Sequence, residues 1–146
     1  MRMVMTLKGV DKLTSSLIKV QRTLMGTAEG ALEEVAEKLM EESKAQVPFD
    51  TGTLVSTDHI ADVAYPSDDE VSIVMGYAHP ESDAINPETG TPASWYAIDV
   101  HEDLGVQHVV GKAKFLEDPV TQGAEFFQSR LATTLRDTLG QGSWKS

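Results

Sequence analysis

The segment Val47-Pro48-Phe49-Asp50-Thr51-Gly52-Thr53-Leu54 holds the residues of this chain best suited to do chemistry. An Asp-Thr-Gly loop after an apolar run is the setting in which two carboxylates share one proton and activate a water. A chain of 146 residues is the right size to supply half of such a site. A homodimeric aspartic-type hydrolase would then draw Asp50 from each copy. That chemistry needs the loop to lie between strands, whereas the residues before Asp50 read as a helix of about five turns ended by Pro48. The alternative is a corner between helix and sheet. Val47 and Pro48 finish the helix, Asp50 accepts hydrogen bonds from following amides, Gly52 takes an unusual backbone dihedral and Leu54 starts the sheet.

Other candidate chemistry is thinner. Four histidines, His59, His79, His101 and His108, stand among carboxylates, but no two are one helical turn apart as in common zinc sites. Cysteine is absent, which removes disulfides and thiolate ligands. No Ser lies in a Gly-x-Ser-x-Gly elbow, and "GKAKF" is in the wrong frame for a phosphate loop. Lys112, Lys114 and Phe115 are too few to form a nucleic-acid surface on so acidic a chain; Phe115 and Leu116 read as core anchors with a charged rim.

The elements that position these residues follow from periodicity. Asp11 is placed to cap a helix with Leu13, Leu17, Val20 and Leu24 at helical spacing, after an extended arm over 1–10. A second helical stretch carries Ala28, Leu32, Val35, Leu39 and Val47 near one stripe. Gly26 and Gly30 mark either a break between two helices or a weak point in one. Beyond Gly52 the period becomes two: Ile60, Val63 and Tyr65, then Val71, Ile73 and Met75, joined by "PSDDE", predict an antiparallel hairpin. Residues 78–94 are rich in Pro, Gly and acids and read as a long exposed loop, a candidate for ordering by a neighbouring subunit or protein. In "SWYAIDVHEDLG" Tyr96, Ile98 and Val100 alternate like a strand, while Ser94 at a cap and Gly105 at a close favour a short helix, which is the expected element. Asp118 and Pro119 open a last helix with Val120, Phe127, Leu131, Leu135 and Leu139 on its apolar face, and 140–146 form a flexible tail. The whole is one α+β domain, a long N-terminal helix and a C-terminal helix on a small antiparallel sheet.

The formal charge of −11 is unevenly spread. Residues 1–30 hold five basic and two acidic side chains, while residues 57–103 hold eleven acids and no Lys or Arg. A middle this acidic repels phosphate backbones. Basic ends and an acidic middle would instead complement each other between copies. No apolar run is long enough to span a membrane and no secretory leader is evident, so a protein kept inside the cell that makes it is expected.

Taken in order, "ALEEVAEKLMEESKAQVPFDTGTL", "WYAIDVHED" and "GKAKFLEDPV" carry a resemblance. The chain resembles the minor structural proteins of long-tailed, siphophage-type bacteriophages that complete the tail and join it to the head. The matching positions are Pro48, Asp50, Thr51, Gly52 and Leu54, then Tyr96, Ala97, Val100, His101 and Glu102, then Lys114, Phe115 and Leu116. The family often has Arg and Ser after the turn's Leu, where this chain reads "LVSTDH", and the loop from Ala78 to Ser94 is long by comparison. The resemblance implies a non-catalytic virion protein without cofactor, made in the host cytoplasm. It implies a ring of six at the neck or the top of the tail, touching head-connector and tail-tube proteins, with DNA passing through unbound. The other readings are the hydrolase above and a small cytosolic interaction protein.

Overall fold

The computed structural model describes residues 8–142 together with residues 4 and 6. Helix α1 runs unbroken over Val10–Lys44, 35 residues. Gly26 and Gly30 are therefore weak points in one helix, not a break. Asp11 is not its cap: Gly9, in the left-handed conformation at φ 89°, precedes the helix, and Asp11 falls in the first turn, where its charge favours the positive end of the helix dipole. The extended arm expected over 1–10 already ends before Val10, and residues 1–3, 5 and 7 lie outside the described residues. At the other end the helix stops at Lys44, and Gln46 and Val47 turn back to donate to the Ser43 carbonyl before Pro48.

A single-turn 3₁₀ segment, Val55–Thr57, stands between this corner and the strands, so Leu54 does not start the sheet. Thr57 enforces the turn: its buried hydroxyl donates to the Leu54 carbonyl at 2.6 Å and accepts the Ala78 amide at 3.0 Å. Strands β1 (Asp58–Ile60), β2 (Ala64–Ser67), β3 (Glu70–Ser72) and β4 (Met75–Tyr77) pair antiparallel as β1 with β4 and β2 with β3. They are the base and the tip of the expected hairpin. The register shifts within the β2–β3 pair, between Ala64↔Ser72 and Ser67↔Glu70, and residues 61–63 and 73–74 separate that pair from the β1–β4 ladder.

Helix α2 covers Ala97–Glu102 and follows a 3₁₀ turn at Ala93–Trp95. Ser94 does not cap it; its amide and hydroxyl go to Asp83 instead. Nor does Gly105 close it, because the backbone is already extended at Asp103. Helix α3 runs over Glu117–Gly140. Its cap is Leu116, without a side-chain bond, and not Asp118, which sits in the first turn. Pro119 is consequently the third helical residue, tolerated because first-turn amides have no intrahelical acceptor. The tail expected over 140–146 begins later: Gly140 is still helical, residues 141–142 form a turn, and 143–146 lie outside the described residues.

α3 lies antiparallel on α1, as successive contacts show: Leu39 beside Gly123, Lys38 Nζ 3.8 Å over the Phe126 ring, Arg130 forked on Glu34, and Thr27 3.2 Å from Thr138. α1 also meets β1, β3 and β4. Val35, Leu39, Ile73, Met75, Val120 and Phe127, drawn from both helices and the sheet, line one apolar cleft of about 300 Å³. The fold is α+β.

Gly26 lies in a helix interior, and a methyl group added there would meet nothing within 4 Å beyond its own stretch of helix. Gly26→Ala is expected to stabilise the protein by about 0.5–1 kcal/mol through the reduced backbone entropy cost, read as a rise in the chemical-denaturation midpoint.

Candidate functional site

Three segments far apart in sequence meet around Phe115, which is 2% exposed. Val47, Leu54 and Ala93 complete the buried cluster, and Tyr96, Ala97, Val100 and Leu116 pack on its edge. The Phe115 ring takes two edge-to-face contacts, from Tyr77 at 5.3 Å and His101 at 4.9 Å between centroids. Such pairs add about 0.5–1.5 kcal/mol each beyond the area buried. Thus each of the three sequence motifs sends at least one residue into or against this core: Leu54 from the first, Tyr96, Ala97 and Val100 from the second, Phe115 and Leu116 from the third.

A polar rim locks the same cluster from outside. His101 Nε2 accepts the Glu117 amide at 3.4 Å, which leaves the proton on Nδ1 to donate to Glu102 at 2.7 Å. Lys114 reaches both Glu102 and Glu117, and its own amide donates to the His101 carbonyl at 2.8 Å. Hydrogen bonds from Lys114, then His101, hold the Glu102 carboxyl below its usual range. Lys112 pairs with Asp118. Neither lysine of this rim is left as a free cation. Lys114 adopts φ 59°, a left-handed conformation that is rare for a residue with a side chain and is held here by these contacts.

The Asp-Thr-Gly corner is closed by its threonines more than by its aspartate. Asp50 is exposed, and among the described residues no following amide donates to it, contrary to the sequence expectation. Thr51 takes that part: its hydroxyl lies 2.7 Å from the Thr53 hydroxyl and accepts the Thr53 amide at 3.4 Å. Gly52 takes φ 78°. Asp50 is flanked by the end of α1 on one side and by the 3₁₀ turn on the other. Beside it opens a cleft of about 380 Å³ lined by Asp50, Thr51, Asn86, Thr91, Tyr96 and His108 among others. His108 Nε2 is buried without a hydrogen-bond partner among the described residues.

Two features here escape sequence reasoning. The first is a buried bridge from helix to sheet: Ser43, fully buried near the end of α1, bonds the Tyr77 hydroxyl of β4 at 2.9 Å. The second is the order inside residues 78–94. That loop closes on itself: Asp83 accepts the amides of Ala84 and Ser94 and the Ser94 hydroxyl, and Asn86 Oδ1 accepts the amides of Glu88 and Thr89. A backbone bridge joins Ile85 to Pro92. Much of its order is therefore internal, and Ser82 Oγ also ties it to the Thr57 carbonyl at 3.2 Å. The Asn-Pro-Glu-Thr-Gly run at 86–90 was the available signal, since an Asn side chain before Pro readily caps a turn. The bond from Ser94 holds the Asp83 carboxyl below its ordinary value.

Among the described residues no group of three or more His, Asp or Glu side chains gathers as a metal site. His59 and His79 stack with centroids 4.4 Å apart but recruit no third ligand. Comparison with known protein families, curated sequences and solved structures found no match to this chain.

Gly111 ties the corner to the segment before α3. It has φ 86°, and a Cβ there would stand 2.5 Å from Pro48 N and from Val47 O. Backbone cannot yield as a flexible side-chain tip does, so Gly111→Ala is expected to destabilise the protein by about 2–4 kcal/mol in denaturant titration. Alkaline pH provides a second check. Burial raises the Tyr77 phenol from 10.0 to about 12. The folded state keeps a proton that the unfolded state loses first, so this contribution is complete below pH 10 and is lost as pH rises from 10 towards about 12. Denaturation midpoints measured across that window should fall, and the fall should be shallower in Tyr77→Phe.

Proposed function

We propose that this chain is a structural subunit of a tailed-phage virion. It assembles as a hexameric ring at the head-to-tail interface, in the neck or at the top of the tail, and DNA passes through it. The observation that carries this reading is the convergence of the three motifs. Pro48 to Leu54, Tyr96 to Glu102 and Lys114 to Leu116 are the positions on which the resemblance rests; Leu54, Tyr96, Ala97, Val100 and Leu116 pack with Phe115, Glu102 and Lys114 pair at the rim, and Thr51 and Gly52 shape the corner that carries Leu54. Residues used in this way build a scaffold, whose chemistry is contact with neighbours. The lysine- and arginine-free stretch over 57–103 suits a lining past which a phosphate backbone slides without sticking.

The hydrolase reading has less support. A shared-proton pair needs its aspartates held by tight loops between strands, and Asp50 stands exposed between a helix end and a 3₁₀ turn.

The test is a reconstruction of the particle together with sedimentation of the purified chain mixed with tail tubes. The expected result is a ring of this chain at the tube's head-proximal end. Density elsewhere, or no co-sedimentation, would remove the reading. Asp50→Asn is expected to change stability by no more than about 0.5 kcal/mol and to leave binding to tubes intact. A peptide-hydrolysing activity of the wild type that vanishes in this variant would favour the hydrolase.

A further inference from the structure

The first third of α1 carries an apolar stripe past the elements that would cover it. Thr27 meets Thr138 two residues before α3 ends at Gly140, and the hairpin tip reaches α1 at Gln21, whose side chain donates to the Asp68 carbonyl at 2.9 Å. Before that point Val10, Leu13, Leu17 and Ile18 are exposed, Leu13 and Leu17 by 61% and 60%. Lys12, Lys19 and Arg22 surround them, with Asp11 as the one acid of that stretch. This arm is apolar and basic.

An acidic apolar surface lies at the other end of the molecule. Ile98 of α2 is 74% exposed and borders a cleft of about 210 Å³ lined also by Ala97, Tyr77, Phe115 and Leu116. Trp95 and Leu104, each 77% exposed, stand near it in sequence, together with Asp99 and Asp103. The cleft has room for a leucine side chain; His101 and Glu102 also line it, Glu102 already paired with Lys114, and the exposed Asp99 and Asp103 of the same segment carry the charge opposite to the arm's.

The arm cannot fill the cleft of its own chain. Tyr77, which lines the cleft, is bonded to Ser43, and Leu17 and Ser43 share one unbroken helix, about 39 Å apart at 1.5 Å per residue. We propose that the α1 arm of one copy docks in the Ile98 cleft of the next, with Leu17 as the apolar anchor and Lys12, Lys19 and Arg22 facing Asp99 and Asp103. Two different surfaces meet in such a contact, so it repeats from copy to copy and closes as a ring or continues as a filament. The inference rests on the proposed ring only for closure; the contact itself holds for any head-to-tail assembly of this chain.

The test uses the full chain in sedimentation velocity. Leu17→Asp removes the arm's anchor and Ile98→Asp blocks the cleft; both positions are exposed, and circular dichroism checks that each variant folds. Each variant alone is expected to self-associate about 100-fold more weakly than wild type. An equal mixture of the two is expected to form a dimer and nothing larger, because one intact arm and one intact cleft remain per pair. The chain has no cysteine, so Leu17→Cys combined with Ile98→Cys is expected to give a disulfide-linked ladder on oxidation. Wild-type-like assembly of both Asp variants overturns the contact while leaving the virion reading standing. Absence of both self-association and the disulfide ladder also overturns it. Assembly through this contact without any affinity for tail tubes supports it and removes the virion reading instead.

Discussion

The seating of Phe115 is the constraint from which the other positions follow. One ring must be enclosed by residues from well-separated segments, so the chain has to bring Val47 and Leu54 from the corner, Tyr77 from the sheet and His101 from α2 to the same point. Losing a buried Phe side chain typically costs about 3–5 kcal/mol, a large part of the stability of a domain this size. Around that point the backbone is pressed into unusual shapes. Lys114, next to Phe115, is left-handed, and Gly111 approaches the Val47–Pro48 peptide too closely for any side chain. The corner at 47–54 is thus held from both sides, by Phe115 within and by the 110–112 strap outside, where Phe49 donates to Val110 and Lys112 donates to Gln46.

Elements whose signal is local periodicity were legible in the sequence. The stripe through Val35 and Leu39 and that through Phe127 and Leu131 announce two helices, and the alternation at 60–65 and 71–75 announces the hairpin. The ends of elements were less legible. Asp11 and Asp118 have the right chemistry for caps, but a cap is decided by backbone geometry one residue at a time. At α3 the left-handed Lys114 turns the chain into the helix two residues earlier than Asp118. The register slip in the hairpin leaves no mark in the apolar alternation.

The site was legible as parts and not as a unit. Phe115 and Leu116 are apolar enough to be read as core, and Lys114 charged enough to be read as rim. Their partners were not readable. Ser43 and Tyr77 are 34 positions apart, and no local pattern marks a serine in a helix face as the acceptor or donor for a tyrosine in a strand. Asp50 shows the opposite error. Its type suggested a role in the turn that the structure gives to Thr51 and Thr53, whose hydroxyls lie 2.7 Å apart.

The unbroken course of α1 gives the molecule an azimuth. Its first turns and its buried last turns belong to one stiff screw, so adding or deleting a residue between Lys19 and Ala31 swings everything upstream by about 100° about the axis. Seven residues would restore the bearing to within about 20°. The length of this helix is therefore quantised: whatever its N-terminal stripe touches, divergent copies of the chain can lengthen or shorten here in steps near whole pairs of turns, and intermediate lengths point the stripe away from its target.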